Sequence, residues 1–145
     1  ATLSTTSTMT AAQADLRYQA GGFAGSSVGA GALCIFSPYD VKNLLVDAYD
    51  VIDNKPKTAA YRAPGAPGAA FAAEIIVDEL AKKLKMDPLE FRIINGAKEG
   101  SIRSNGLANP VIGAIETTKR PKLTSTGPLR WRDRTGAGVW RQASG

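Results

Sequence analysis

Ala60-Tyr61-Arg62-Ala63-Pro64-Gly65-Ala66-Pro67 is the stretch on which the reading of this chain turns. Two prolines and a glycine within eight residues favour an extended, turning backbone, and the stretch carries one charge, Arg62, just ahead of a segment with helical periodicity. In that segment Ala73, Ile76, Val77, Leu80 and Leu84 recur at i, i+3, i+4, i+7 and i+11, which predicts a helix with one apolar face. Glu74, Asp78, Lys82, Lys83 and Lys85 fall where they stay wet, with acids early and lysines late as the helix dipole prefers. A guanidinium placed before free helix amides can hold a phosphate or oxo-anion without any metal-ligating side chain. The plainer reading, Arg62 paired with a carboxylate of a neighbouring loop, is favoured on residue types alone.

Upstream of the loop, Asn43 to Asp53 sets Leu44, Val46, Ala48 and Asp50 on one side and Leu45, Asp47, Tyr49 and Val51 on the other, as in a partly buried strand. Asn54-Lys55-Pro56-Lys57 ends it. Thr8 to Tyr18 reads as a second strand, able to pair with one over Ala1 to Thr6. Between these strands the glycine-rich run from Gly21 to Gly31 reads as irregular; it lacks both the lysine of a phosphate loop and a dinucleotide-binding spacing. Downstream, Asp87-Pro88-Leu89-Glu90 has the residues of a helix start, and the helix should stop near Asn95-Gly96. Ile112 to Lys119 predicts a third, short helix before Pro121. The fold class expected is α+β, strands packed with two or three helices.

Composition removes much of the enzyme repertoire. The chain has no histidine and one cysteine, Cys34, so serine–histidine and cysteine–histidine nucleophiles, histidine-ligated zinc and cysteine-held iron–sulfur clusters are excluded within it. Cys34 lies in the apolar run Leu33-Cys34-Ile35-Phe36 and reads as a buried structural thiol. With 43% hydrophobic residues over 145 positions, the chain has material for one core. No run reaches the roughly 18 apolar residues needed to cross a bilayer, and the start lacks a signal-peptide pattern, so a cytoplasmic location without membrane association is expected.

Charge is unevenly placed. Residues 1–118 carry 11 basic and 12 acidic side chains, a net of −1; residues 119–145 carry seven basic side chains against Asp133, a net of +6. The overall +5 is therefore a property of the tail, and nucleic acid is not expected as a partner of the body. Glu74, Asp78 and Glu79 read as a solvated helix face rather than an acid–base pair, and Asp47, Asp50 and Asp53 as edge or turn residues.

Lys57-Thr58-Ala59-Ala60-Tyr61-Arg62-Ala63-Pro64-Gly65-Ala66-Pro67, Ala70-Phe71-Ala72-Ala73-Glu74, Asp78-Glu79-Leu80-Ala81, Met86-Asp87-Pro88-Leu89-Glu90-Phe91-Arg92 and Asn95-Gly96-Ala97-Lys98-Glu99-Gly100 together resemble the molybdopterin-binding large subunit of the xanthine dehydrogenase/aldehyde oxidase family of molybdenum hydroxylases. Tyr18 to Tyr49, with Pro38-Tyr39-Asp40-Val41-Lys42-Asn43, resembles it too, so about residues 8–118 are covered. The resemblance implies an internal piece of that subunit, with residues 1–118 a partial molybdopterin-binding domain. It implies Arg62 and Ala63 beside the molybdenum cofactor and Pro64 facing the substrate. It further implies molybdenum-molybdopterin, in its cytosine dinucleotide form, and iron–sulfur and FAD groups on partner subunits or domains. The reaction implied is hydroxylation of an aldehyde or heteroaromatic small molecule with oxygen from water. Family features that lie outside this chain are the glutamate base and the glycine-rich cofactor loop, so the isolated chain is expected to be inactive.

Departures from the family narrow the substrate. Pro64 stands where xanthine-oxidising relatives place an aromatic residue, and their substrate-orienting arginine falls near Ala30, which carries no charge. The loop also lacks the cysteine of carbon monoxide-oxidising relatives. The tail departs most: Leu129-Arg130-Trp131-Arg132-Asp133-Arg134 fits the family poorly, and residues 119–145 read as a truncated, divergent or frame-shifted basic tail without fixed structure. The competing class is a non-catalytic structural or interaction module whose tail, through Arg130, Arg132, Arg134 and Trp131, binds nucleic acid.

Overall fold

The computed structural model describes residues 2–3 and 7–123. Its elements in chain order are β1 (Thr2–Leu3), β2 (Met9–Gly21), α1 (Val28–Cys34), β3 (Asn43–Ile52), α2 (Ala66–Lys83), α3 (Pro88–Asn95) and α4 (Ala114–Leu123). The sheet order is β1-β2-β3. β1 runs antiparallel to β2, whereas β2 and β3 are parallel, in register from Ala11↔Asn43 to Gly21↔Ile52. Parallel strands need a crossover between them, and α1 supplies it. The α+β class expected from the sequence is the one observed.

From Ala12 to Ala20 β2 has a period of two. Ala12, Leu16 and Ala20 are buried and Ala14 and Tyr18 half-buried, whereas Gln13, Asp15, Arg17 and Gln19 are exposed. The helices lie on the first of these faces. One core cluster joins Met9, Ala12, Tyr39, Val41, Val77, Ala81 and Phe91, and a second joins Leu16, Val28, Ile35, Ala69 and Ala73. α2 contributes to both through Ala69, Ala73, Val77 and Ala81, one residue per turn. That stripe differs from the expected one: Leu80 and Leu84 are half-buried and Ile76 is 48% exposed. Small side chains let a helix approach its neighbours closely, and the alanine ridge turns inward at the expense of the isoleucines.

Three other expectations are corrected. The glycine-rich run is irregular only through Ser27, because Val28 and Gly31 are buried in α1. Gly31 is a glycine for reasons of space: a Cβ there would lie 2.9 Å from the Tyr18 hydroxyl oxygen. Cys34 is half-buried rather than enclosed, as it closes α1 beside the 47% exposed Leu33. The third helix starts two residues later than expected and continues past Lys119, carrying Pro121 instead of stopping before it. It therefore crosses position 118, while residues 124–145, including Arg130, Trp131, Arg132 and Arg134, lie outside the described residues.

The α3 start is as expected: Asp87 Oδ1 accepts from the Glu90 N–H at 2.9 Å, with Pro88 opening the helix. At its other end the buried Asn95 accepts from the Met9 N–H at 2.7 Å and donates to the Ser7 and Phe91 carbonyls. This amide ties the start of β2 to the end of α3.

Candidate functional site

Both parallel strands end at the same edge of the sheet, β2 at Gly21 and β3 at Ile52, and the connections leaving them frame a cavity. Crevices beyond the carboxyl ends of parallel strands are where α/β sheets commonly bind ligands. The segment after β3 is laid across the end of β2. Gly22 N–H donates to Lys55 O at 2.9 Å and Thr58 N–H to Ala20 O at 2.9 Å. Gly21, with φ +79°, comes so close that a Cβ would sit 2.2 Å from the Pro56 carbonyl oxygen.

The chain then reaches the quoted loop. Ala63 has φ 48°, a left-handed conformation unusual for a residue with a Cβ. Gly65 has φ +78°, and a Cβ there would lie 2.2 Å from the Ser27 carbonyl oxygen. Tyr18 donates its hydroxyl to Gly65 O at 2.9 Å. Gly65 is thus held between β2 and the start of α1, and α2 begins at the next residue.

The cavity, about 260 Å³, has the Gly25–Ser27 turn with Gly29 and Ala30 on one wall and Thr58–Ala60 with Pro64 on the other. Pro64 and Ala30, far apart in sequence, line the same space. Arg62 and Ala63 stand next to it without lining it, both exposed. Arg62 makes no hydrogen bond or ion pair among the described residues, so the carboxylate pairing favoured on residue types alone is not what the structure shows. A wider, shallow depression of about 540 Å³ lies at the opposite strand ends, around Ala11–Gln13 and Lys42–Leu45, away from the loop.

One wall is held by charge. Asp50, near the end of β3, accepts from Gly25 N–H at 2.7 Å, from Ser26 N–H at 3.0 Å and from the Ser26 hydroxyl. The Ser26 hydroxyl and the Gly25 amide hold the Asp50 carboxyl below the usual carboxylate range, with Lys57 contributing. Sequence reasoning placed Asp50 as an edge residue and missed this role, because its partners lie 24 and 25 positions away.

Glu74 and Asp78 are not a free solvated face. Glu74 accepts from Tyr39 Oη at 2.6 Å and from Arg92 Nε at 2.8 Å, and Arg92 Nη1 lies 2.7 Å from Asp78. Burial, and then the bond to Glu74, push the Tyr39 hydroxyl pKa far up. The cluster staples α2 to α3, away from the cavity. The (i, i+4) spacing of the two acids was readable; their cation, on another helix, was not.

The profile of the molybdopterin cofactor-binding domain matches residues 2–96. The chain belongs to this family. Its resemblance to molybdenum hydroxylases is borne out by relatives of known name. Over 87 residues it is 40% identical to the nicotinate dehydrogenase large molybdopterin subunit of Eubacterium barkeri, covering 59% of this chain and 20% of that one. It is 38% identical over 76 residues to the aldehyde oxidoreductase of Megalodesulfovibrio gigas, covering 52% of this chain and 8% of that one. The aldehyde oxidoreductase structure from Desulfovibrio desulfuricans ATCC 27774 superposes with a TM-score of 0.72 at 31% identity, over 81% of this chain and 14% of that one. Quinoline 2-oxidoreductase from Pseudomonas putida 86 shares the fold, with a TM-score of 0.66 at 20% identity, over 74% of this chain and 15% of that one. The chain thus spans a fifth or less of the length of these proteins.

The loop fits an anionic cofactor held by hydrogen bonds. The Arg62 guanidinium, exposed and without a partner among the described residues, is free to donate to such a group. No cluster of three or more histidine, cysteine, aspartate or glutamate side chains competes to ligate a metal among the described residues.

Proposed function

We propose that this chain contributes the cofactor-contacting loop and part of the substrate wall of a molybdenum hydroxylase acting on a small aldehyde or heteroaromatic compound. The observation that carries the reading is Arg62, unpaired among the described residues, standing beside a cavity lined by Pro64. When bound, molybdenum-molybdopterin would supply, through its metal, the two-electron sink and the means of activating water. Arg62 donates its fork of N–H groups to the anionic part of that group, and Ala63 presents backbone alongside it. Pro64, Ala30 and Thr58 contact the substrate and exclude water from it.

These walls carry no charged side chain and no aromatic ring, which favours a neutral substrate over a purine clamped by stacking and charge. They also carry no carboxylate, so the proton acceptor of the reaction comes from outside the described cavity residues. The name of one relative, for aldehydes, supports a neutral substrate, and that of another, for nicotinate, which is an anion, supports only the heteroaromatic part of the range. The proposal includes the cytosine dinucleotide form of the cofactor, iron–sulfur and FAD partners that take the electrons, a cytoplasmic location, and a chain inactive by itself.

Metal and pterin analysis of the isolated chain, produced in a molybdopterin-making host, should find both well below one equivalent. A stoichiometric, active preparation would overturn the claim that the chain needs the remainder of a subunit. Within a hydroxylase subunit containing this chain, Arg62→Ala should lower the molybdopterin retained on gel filtration. The same change in the isolated chain should leave stability within about 0.5 kcal/mol of wild type, because Arg62 is exposed and makes no hydrogen bond or ion pair among the described residues. Unchanged cofactor retention would remove Arg62 from the site.

A further inference from the structure

We infer that Asp50 is a positioning residue, which sets the cavity wall opposite Pro64 by gripping the Gly25–Ser26 turn. The inference rests on the cavity reading proposed above. The turn is held from two directions by opposite charges. Asp50 takes both amides and the Ser26 hydroxyl, while Lys57 Nζ donates to the Gly25 carbonyl at 2.7 Å. Gly25 has φ +104°, a conformation that only glycine adopts readily, and its amide and that of Ser26 both point at one carboxylate. The Ser26 oxygen also accepts from Val28 N–H at 3.2 Å, so the grip passes to the first residue of α1, two positions before Ala30.

Asp50 and Lys57 come from the end of β3 and the segment behind it, so they register the first wall of the cavity against the second, which that same segment forms. Neither side chain lines the cavity. Displacements of about 1 Å at a binding wall can cost roughly two orders of magnitude in function, so a fixed turn matters more here than its surface exposure suggests.

The test uses the ¹⁵N-labelled chain, its Asp50→Ala and Asp50→Asn variants, and benzamide as an uncharged, unreactive probe. In wild type the Gly25 and Ser26 amides should exchange with solvent roughly tenfold more slowly than unprotected peptide. Asp50→Ala should abolish that protection while the β2–β3 amides keep theirs, showing that the chain remains folded. Benzamide should shift the Ser27, Ala30 and Ala60 amides of wild type, with a dissociation constant roughly tenfold weaker in Asp50→Ala. Asp50→Asn, which keeps an acceptor oxygen, should recover part of both effects. Unprotected Gly25 and Ser26 in wild type would overturn the grip. Unaltered benzamide affinity in an Asp50→Ala chain whose turn has loosened would overturn the positioning role. Benzamide shifting none of the three amides while the turn stays protected would instead overturn the cavity reading on which that role rests.

Discussion

Replacing Gly65 with alanine should destabilise the chain more than any other single-methyl change in the loop, and the structure says by how much. Two costs add. At φ +78° a side-chain-bearing residue loses about 1–2 kcal/mol relative to glycine. The new methyl would also start 2.2 Å from the Ser27 carbonyl oxygen and 3.0 Å from the Gly31 amide nitrogen. Both atoms are backbone and cannot swing aside, so the loop or α1 has to move, at a further cost of about 1–3 kcal/mol by analogy with overpacking. The total of about 2–5 kcal/mol is a large part of the 5–15 kcal/mol typical of a domain. Two control positions separate the terms. Gly100 has φ +80° with nothing within 4 Å, so Gly100→Ala should show only the conformational cost, about 1–2 kcal/mol. Gly29 has no positive φ and open space, and lies in α1, so Gly29→Ala should stabilise by about 0.5–1 kcal/mol. Urea unfolding followed by circular dichroism measures all three. If Gly65→Ala matched Gly100→Ala, the loop would not be pressed against α1 as described, and the placement of Pro64 opposite Ala30 would fail with it.

Other outcomes follow from the remaining contacts. Asn95→Ala should cost about 2–4 kcal/mol in the same assay, since it strands the buried Met9 amide and empties a fully enclosed site; a change under 1 kcal/mol would contradict the buried amide network. Tyr39→Phe should cost about 1 kcal/mol at neutral pH by leaving Glu74 short of a donor. Because the folded Tyr39 pKa is raised, its contribution is fully present below the unfolded value near 10 and is lost above it. Wild type should therefore lose stability from about pH 10 upward more steeply than Tyr39→Phe, as urea midpoints across that range would show. Arg92→Met should cost about 1–3 kcal/mol, because the part-buried carboxylates of Glu74 and Asp78 would then face each other without their cation; an effect abolished by moderate salt would mark the cluster as a surface one.

Local chemistry was legible in the sequence, and long-range geometry was not. Asp87 and Pro88 announced α3, and alternation announced β3, because both signals act over a few residues. Alternation is silent about a neighbour's direction, so the parallel pairing of β2 with β3 had no counterpart in the sequence reading. Glycine's low helix propensity hid α1, whose Gly31 serves close packing against Tyr18 instead. At the site, Arg62 and Pro64 were visible as loop residues, and the resemblance drew Ala30 in. The facing turn of Gly25 to Ser27 was seen only as glycine-rich, since its fastening to Asp50 depends on two strands meeting.

The parallel pairing of β2 and β3 has a consequence for how the chain is born. Ala11 and Asn43 are 32 positions apart (43 − 11), and that offset persists through Tyr18↔Asp50. Each rung of the ladder must therefore close a long loop before any return arrives, a feature that slows folding relative to helical bundles. At translation rates of roughly 5–20 residues per second, β2 waits about 2–6 s for the matching part of β3 to be made. During that interval its apolar residues Ala12, Leu16 and Ala20 are uncovered, and Gly25 and Ser26 have been synthesised without the carboxylate that will fasten them. The cavity consequently takes shape late, at the same moment as the sheet.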